Sequence, residues 1–192
     1  MPYRYCLVIL AGVVLASVPA AVAYAANGMT ASTDRVLLLL HHLGMILLFG
    51  NIAVSSLWMS RARRTGERSI LYYASRTISR ADLLFTVPGL ILIIGPGVLL
   101  VGGVRDWGRT SWAELALALM VVVFFVWVTQ IVKFQRRMLR VAKEAAELRI
   151  GLSDAFYHYE RWWSLWNGVV TVLLLASLYL MVFKPHLWGP AA

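Results

Sequence analysis

Two imidazoles, His41 and His42, stand inside the apolar run Leu37-Leu38-Leu39-Leu40-His41-His42-Leu43-Gly44-Met45-Ile46-Leu47-Leu48-Phe49-Gly50-Asn51. Polar side chains at membrane depth are costly and usually face the bundle interior, so a histidine there marks a candidate site. A neutral imidazole can ligate a metal through one nitrogen while its other nitrogen hydrogen-bonds a nearby acceptor. The simpler alternative is that the ring hydrogen-bonds a facing Ser, Thr or carbonyl and does no chemistry. Asn51, Asp82, Gln130 and Asn167 form a second candidate group, each in a different apolar span and toward the same side of the membrane. Amides and a carboxylate at one depth can make an interhelical hydrogen-bond layer.

A helix advances about 100° per residue, which separates the two histidines. With His41 at zero, Leu48 falls near −20°, Ser55 near −40°, Gly44 near −60° and Asn51 near −80°, whereas His42 lies about 100° off that face. The inward imidazole is therefore His41. Gly44, one turn on, lets a neighbouring helix or a flat ligand approach closely.

The elements that must position these residues are membrane spans. The chain has 192 residues, 60% hydrophobic and 14% charged, with a mean hydropathy of +0.74, outside the range of soluble domains. Stretches of roughly 20 apolar residues cross a hydrocarbon core of about 30 Å. Four such stretches occur, 36–58, 82–104, 112–134 and 164–184, which predicts an all-α, polytopic four-helix membrane bundle. His41 then lies about 10 Å below one boundary and Asn51 about 24 Å below it.

Residues 1–30 precede this domain, which occupies 31–192. A basic start, a short apolar core and Ala23-x-Ala25 are the parts of a signal peptide, while the run 5–26 is also long enough for a retained helix. Cys6 stands alone, so neither an internal disulfide nor a cysteine metal cluster can form.

The net charge of +9 is not spread evenly. Arg61, Arg63, Arg64, Arg68, Arg76 and Arg80 fall in one connection, and Lys133, Arg136, Arg137, Arg140, Lys143, Arg149 and Arg161 in or beside another. This asymmetry predicts that 59–81 and 135–163 are cytoplasmic and the C-terminus external, with lipid rather than nucleic acid as the partner of the charge. Tyr72 and Tyr73 among arginines suggest an interfacial helix over 66–81. Pro88-Gly89 and Gly95-Pro96-Gly97 predict either a kinked packing helix or a broken one lining a cavity. Gln130 is expected to bond across helices, and Trp162, Trp163 and Trp166 to anchor the last span at the interface.

These motifs together carry a resemblance. Leu40-His41-x-x-Gly44, Gly50-Asn51, Asp82-Leu-Leu-Phe85-Thr86-x-Pro88-Gly89, Gln130 before a basic helix, Trp163 before Asn167-Gly168, and Leu180-Met181-Val182-x-Lys184-Pro185 resemble a bacterial membrane family, the domain of unknown function twenty-two sixty-nine, over about 34–186. At longer range the chain is similar to HemJ-type protoporphyrinogen oxidase, the CopD copper-resistance domain and the membrane part of bacterial urate oxidase. That resemblance implies a bacterial inner membrane and haem b ligated by His41 beside Gly44. The tryptophan those proteins carry before the glycine is replaced here by Leu48-Phe49, and no lysine matches that of the HemJ type.

Two functions therefore compete. One is a haem-b membrane oxidoreductase or electron carrier with His41 as axial ligand. The other is a cofactor-free membrane protein, a scaffold or assembly factor in a homo-oligomer or larger complex, or a carrier of a small solute through the Asn/Asp/Gln layer. Nucleotide-binding loops, c-type haem motifs and nucleophile–base constellations are missing from the sequence.

Overall fold

In the computed structural model, residues 31–101 and 111–187 are described. The N-terminal segment 1–30 and most of the loop carrying Arg105, Trp107 and Arg109 lie outside them. The helices are α1 (Ala31–Thr65), α2 (Arg68–Ala81), α3 (Val87–Leu100), α4 (Ser111–Val126), α5 (Val132–Glu147) and α6 (Asp154–Phe183). A π-helical turn, Asp82–Thr86, joins α2 to α3, and a second, Trp127–Ile131, joins α4 to α5. The chain thus forms four long rods, Thr33–Thr65, Arg68–Leu100, Ser111–Glu147 and Asp154–Phe183, each with a stretch long and apolar enough to cross a membrane.

The rods outreach the bilayer. At 1.5 Å per residue, 33 residues extend about 50 Å against a core of about 30 Å. The excess lies at the end bearing the two arginine-rich connections, the basic end. Here α2 is not an interfacial helix as the sequence suggested. It stands upright as the continuation of α3 and buries Leu71, Ala74, Ser75, Ile78 and Ser79, an i, i+3, i+4, i+7, i+8 stripe. Its arginines lie on the opposite, solvated face, which is why Tyr72 and Tyr73 alone were a misleading signal. With Met59, Ala62, Met138, Ala142 and Phe156 the stripe makes a buried core beyond the apolar spans.

Polar contacts close this end. Gly66 adopts φ 67, the left-handed conformation that terminates helices at low cost, and sends the chain back from α1 into α2. Arg63 donates to Glu160 at 3.0 Å, whose other oxygen accepts from Ser164 at 3.1 Å. Arg68 donates to the carbonyl of Arg149 at 2.8 Å, tying one hairpin to the other.

In the apolar half the rods associate as pairs. The helix α1 packs along α3, and α4 along α6, while among the described residues α3 makes no comparable contact with α4 or α6. The pairs meet at the level of the two π turns and at the basic end. Neither proline breaks the second rod. Pro88 has no N–H for the carbonyl of Leu84 and its ring crowds that carbonyl, and the widened turn over Asp82–Thr86 falls where that bond would be lost. Pro96 is absorbed inside α3.

Candidate functional site

Asp82 opens the apolar part of the second rod and is 7% exposed. Its Oδ1 accepts from Asn51 Nδ2 at 2.7 Å and from the Thr86 hydroxyl at 3.3 Å, and its Oδ2 accepts from Gln135 Nε2 at 2.8 Å. The Asn51 amide also donates to Thr86 Oγ1 at 2.8 Å, and its carbonyl accepts from Ser55 at 3.3 Å. A carboxylate offers only acceptors, and every group around this one is a donor. No ion pair to Asp82 occurs among the described residues.

The widened turn creates the site. A π turn adds a residue to the helical repeat, and over Asp82–Thr86 it turns both of its terminal side chains inward. The second π turn does likewise with Trp127 and Ile131. Between them lies a cavity of about 20 Å³, room for one water, bordered by Ser55, Asp82, Thr86, Trp127, Trp163 and Asn167 and by apolar side chains of all four rods. The indole N–H groups of Trp127 and Trp163 are buried and have no acceptor among the described residues.

The anticipated layer is correct at Asn51 and Asp82 and needs correction at the other two positions. Gln130 is turned away, half-exposed, with its nearest partner the neighbouring Thr129 hydroxyl at 3.5 Å. The π turn shifts the register so that Trp127 and Ile131 take the inward positions, and Gln135, wholly buried, supplies the amide instead. Asn167 borders the cavity but donates to the carbonyl of Trp163 in its own helix at 2.8 Å. Trp163 is itself in the core rather than an interfacial anchor. Gln135 could have been found from the 3–4 spacing of Ile131, Gln135, Met138, Ala142 and Ala145. Replacing Gln135 by leucine is expected to cost about 1–3 kcal/mol by orphaning an acceptor of Asp82, against less than about 0.5 kcal/mol for Gln130→Leu. Thermal unfolding of both variants in mild detergent measures the difference.

His41 occupies the other half of the membrane. Its Nδ1 donates to the carbonyl of Ile93 at 2.8 Å, which leaves Nε2 with the lone pair in the neutral ring. A β-carbon at Gly97 would sit 3.0 Å from the ring's Cε1 and 3.1 Å from Nδ1, so the imidazole is seated on bare backbone. His42 is exposed and donates to Leu38 in its own helix at 2.7 Å. Gly44 is closed by α3: a β-carbon there would meet Gly89 O and Ile93 N at 2.8 Å. The tautomer of His41 therefore suits a metal ligand, while α3 leaves no gap for a flat ligand against Gly44 itself. Groups of three or more His, Cys, Asp or Glu placed to hold a metal are likewise absent among the described residues.

A family model described as a predicted integral membrane protein covers residues 35–185, from the first turns of α1 past the end of α6. The chain belongs to the DUF2269 family. No curated protein and no solved structure matches it. These comparisons do not show a likeness of this DUF2269 member to HemJ-type proteins or CopD.

Proposed function

We propose that this DUF2269 protein is a cofactor-free, proton-linked membrane protein in which Asp82 couples proton binding to the packing of its two helix pairs. The observation that carries the reading is the Asp82–Gln135 bond. Asp82 belongs to the α1/α3 pair by chain and by its bonds to Asn51 and Thr86, whereas Gln135 extends the α4/α6 pair. A proton on Asp82 removes acceptor capacity from the carboxylate that ties the pairs at the level of the π turns, and the facing groups, Asn51, Thr86 and Gln135, are all neutral. The cavity beside it has room for the water that would carry the proton. Leu90, Val123 and Val170 border its apolar side, so the geometry favours a proton-loading site over an open pore. The test is the distance between spin labels on cysteines placed at Leu99 in α3 and Val182 in α6, in a chain lacking Cys6. Wild type is expected to change its distance distribution with pH and Asp82→Asn to be fixed. An unchanged distribution in wild type contradicts the coupling.

We further assign the basic end to the cytoplasm of a bacterial inner membrane, with the C-terminus outside, on the charge asymmetry. Ser69 and Ser153 are exposed at that end, and cysteines there should resist impermeant reagents in intact cells. Labelling from outside overturns the orientation.

Haem at His41 is a separate proposal, favoured by the lone pair on Nε2 and opposed by the closed packing at Gly44. An oxidised-minus-reduced visible spectrum of protein expressed with ample haem decides between them. A Soret band lost in His41→Ala and kept in His42→Ala establishes haem; without such a band in wild type the haem reading fails.

A further inference from the structure

We propose that the α5–α6 face at the basic end binds the phosphate headgroup of an anionic phospholipid through Lys133 and Arg137. The two cations are one helical turn apart, with Lys133 at the end of the apolar part of its rod. One turn is about 6 Å of rise, close to the thickness of one headgroup layer, about 5–8 Å.

Aromatic rings hold both cations in place. Lys133 Nζ lies 5.2 Å from the Phe134 ring centroid, and the Arg137 guanidinium carbon 5.7 Å from that of Tyr159. Phe134 stacks on Trp162 at 6.0 Å with planes 14° apart. Such contacts are modest at exposed sites, but they order the two cations. Arg63 and Lys143 have carboxylate partners; Lys133 and Arg137 have none among the described residues.

The same face continues toward the bilayer interior. Trp162, Leu165 and Val169 follow one another at i, i+3 and i+7 on α6, all exposed. An acyl chain can lie along this stripe while its phosphate meets the cations above. Charge and depth together select an anionic lipid over a soluble acidic partner, which would not use the apolar stripe. This inference does not depend on the role of Asp82.

The test uses the full chain in neutral detergent, titrated with phosphatidylglycerol or phosphatidylcholine and followed by native mass spectrometry. Wild type should retain phosphatidylglycerol preferentially. Lys133→Ala with Arg137→Ala should weaken that binding by about 30-fold, as expected for two cations near an anionic headgroup. Arg61→Ala with Arg64→Ala removes the same charge elsewhere and should change it less than about threefold. The charge-conserving pair Lys133→Arg with Arg137→Lys should keep the preference, which guards against a folding defect in the alanine variant. Equal retention of both lipids by wild type, equal losses in the two alanine variants, or loss in the charge-conserving pair would overturn the assignment.

Discussion

Replacing Gly44 by alanine is expected to cost about 2 kcal/mol net, and by valine more, whereas Gly50→Ala should be neutral or stabilising by up to about 1 kcal/mol. Both glycines lie inside α1, so alanine brings the same gain in helix propensity at each. They differ in what the new methyl meets. At Gly44 it would lie 2.8 Å from Gly89 O and Ile93 N and 2.9 Å from Leu92 Cβ, while at Gly50 nothing lies within 4 Å. Two of the three obstacles at Gly44 are backbone atoms, which cannot turn away as a flexible side chain can. The helices must separate, and the His41–Ile93 hydrogen bond one turn away must stretch with them. For a chain of this size a loss of 2 kcal/mol lowers the melting temperature by about 4–8 °C. Melting of wild type, Gly44→Ala and Gly50→Ala in the same detergent checks this. Equal melting temperatures for the two variants would mean that α1 and α3 do not touch at Gly44.

Much of this architecture is legible in the sequence because membrane spans are written in simple physics. Runs of about 20 apolar residues must be helical in lipid, where every backbone group needs an internal partner. The wheel through His41 also works, since α1 is regular from end to end, and it puts Gly44, Leu48, Asn51 and Ser55 on the face that meets the rest of the bundle. Wheels fail where helices are not regular. The π turn at Trp127–Ile131 shifts every later position, which is why Gln130 read as inward and Gln135 was passed over. A proline signals the first π turn by removing a donor, but nothing comparable in the sequence signals the second. The upright α2 was hidden for another reason. A basic amphipathic stretch has the same pattern whether it lies on a lipid surface or stands against two other helices, and only its partners decide.

Removing the carboxylate should have the other large effect. Asp82→Leu is expected to destabilise the fold by about 2–5 kcal/mol, because the buried Asn51 and Gln135 amides lose the acceptor they share. If that is the cause, Asp82→Leu combined with Gln135→Leu should recover part of the loss, since an apolar pair is cheaper than an orphaned donor. A double variant as unstable as the sum of the single ones would show that the Asp82–Gln135 bond is not the tie. Asp82→Asn, close in size and still able to accept, should fold with a much smaller loss. It therefore separates stability from proton binding.

That separation permits the most direct measurement of the central claim, the infrared difference spectrum between acid and alkaline pH of the full chain in lipid. Wild type should show, beside the bands of the other eight acidic side chains, one component of the protonated-carboxyl stretch that appears reversibly on acidification, is displaced in Asp82→Glu and is missing in Asp82→Asn. A wild-type difference spectrum identical to that of Asp82→Asn in the carboxyl region would contradict the account: Asp82 would then be a fixed strut between the helix pairs, and no proton-linked function could be built on it.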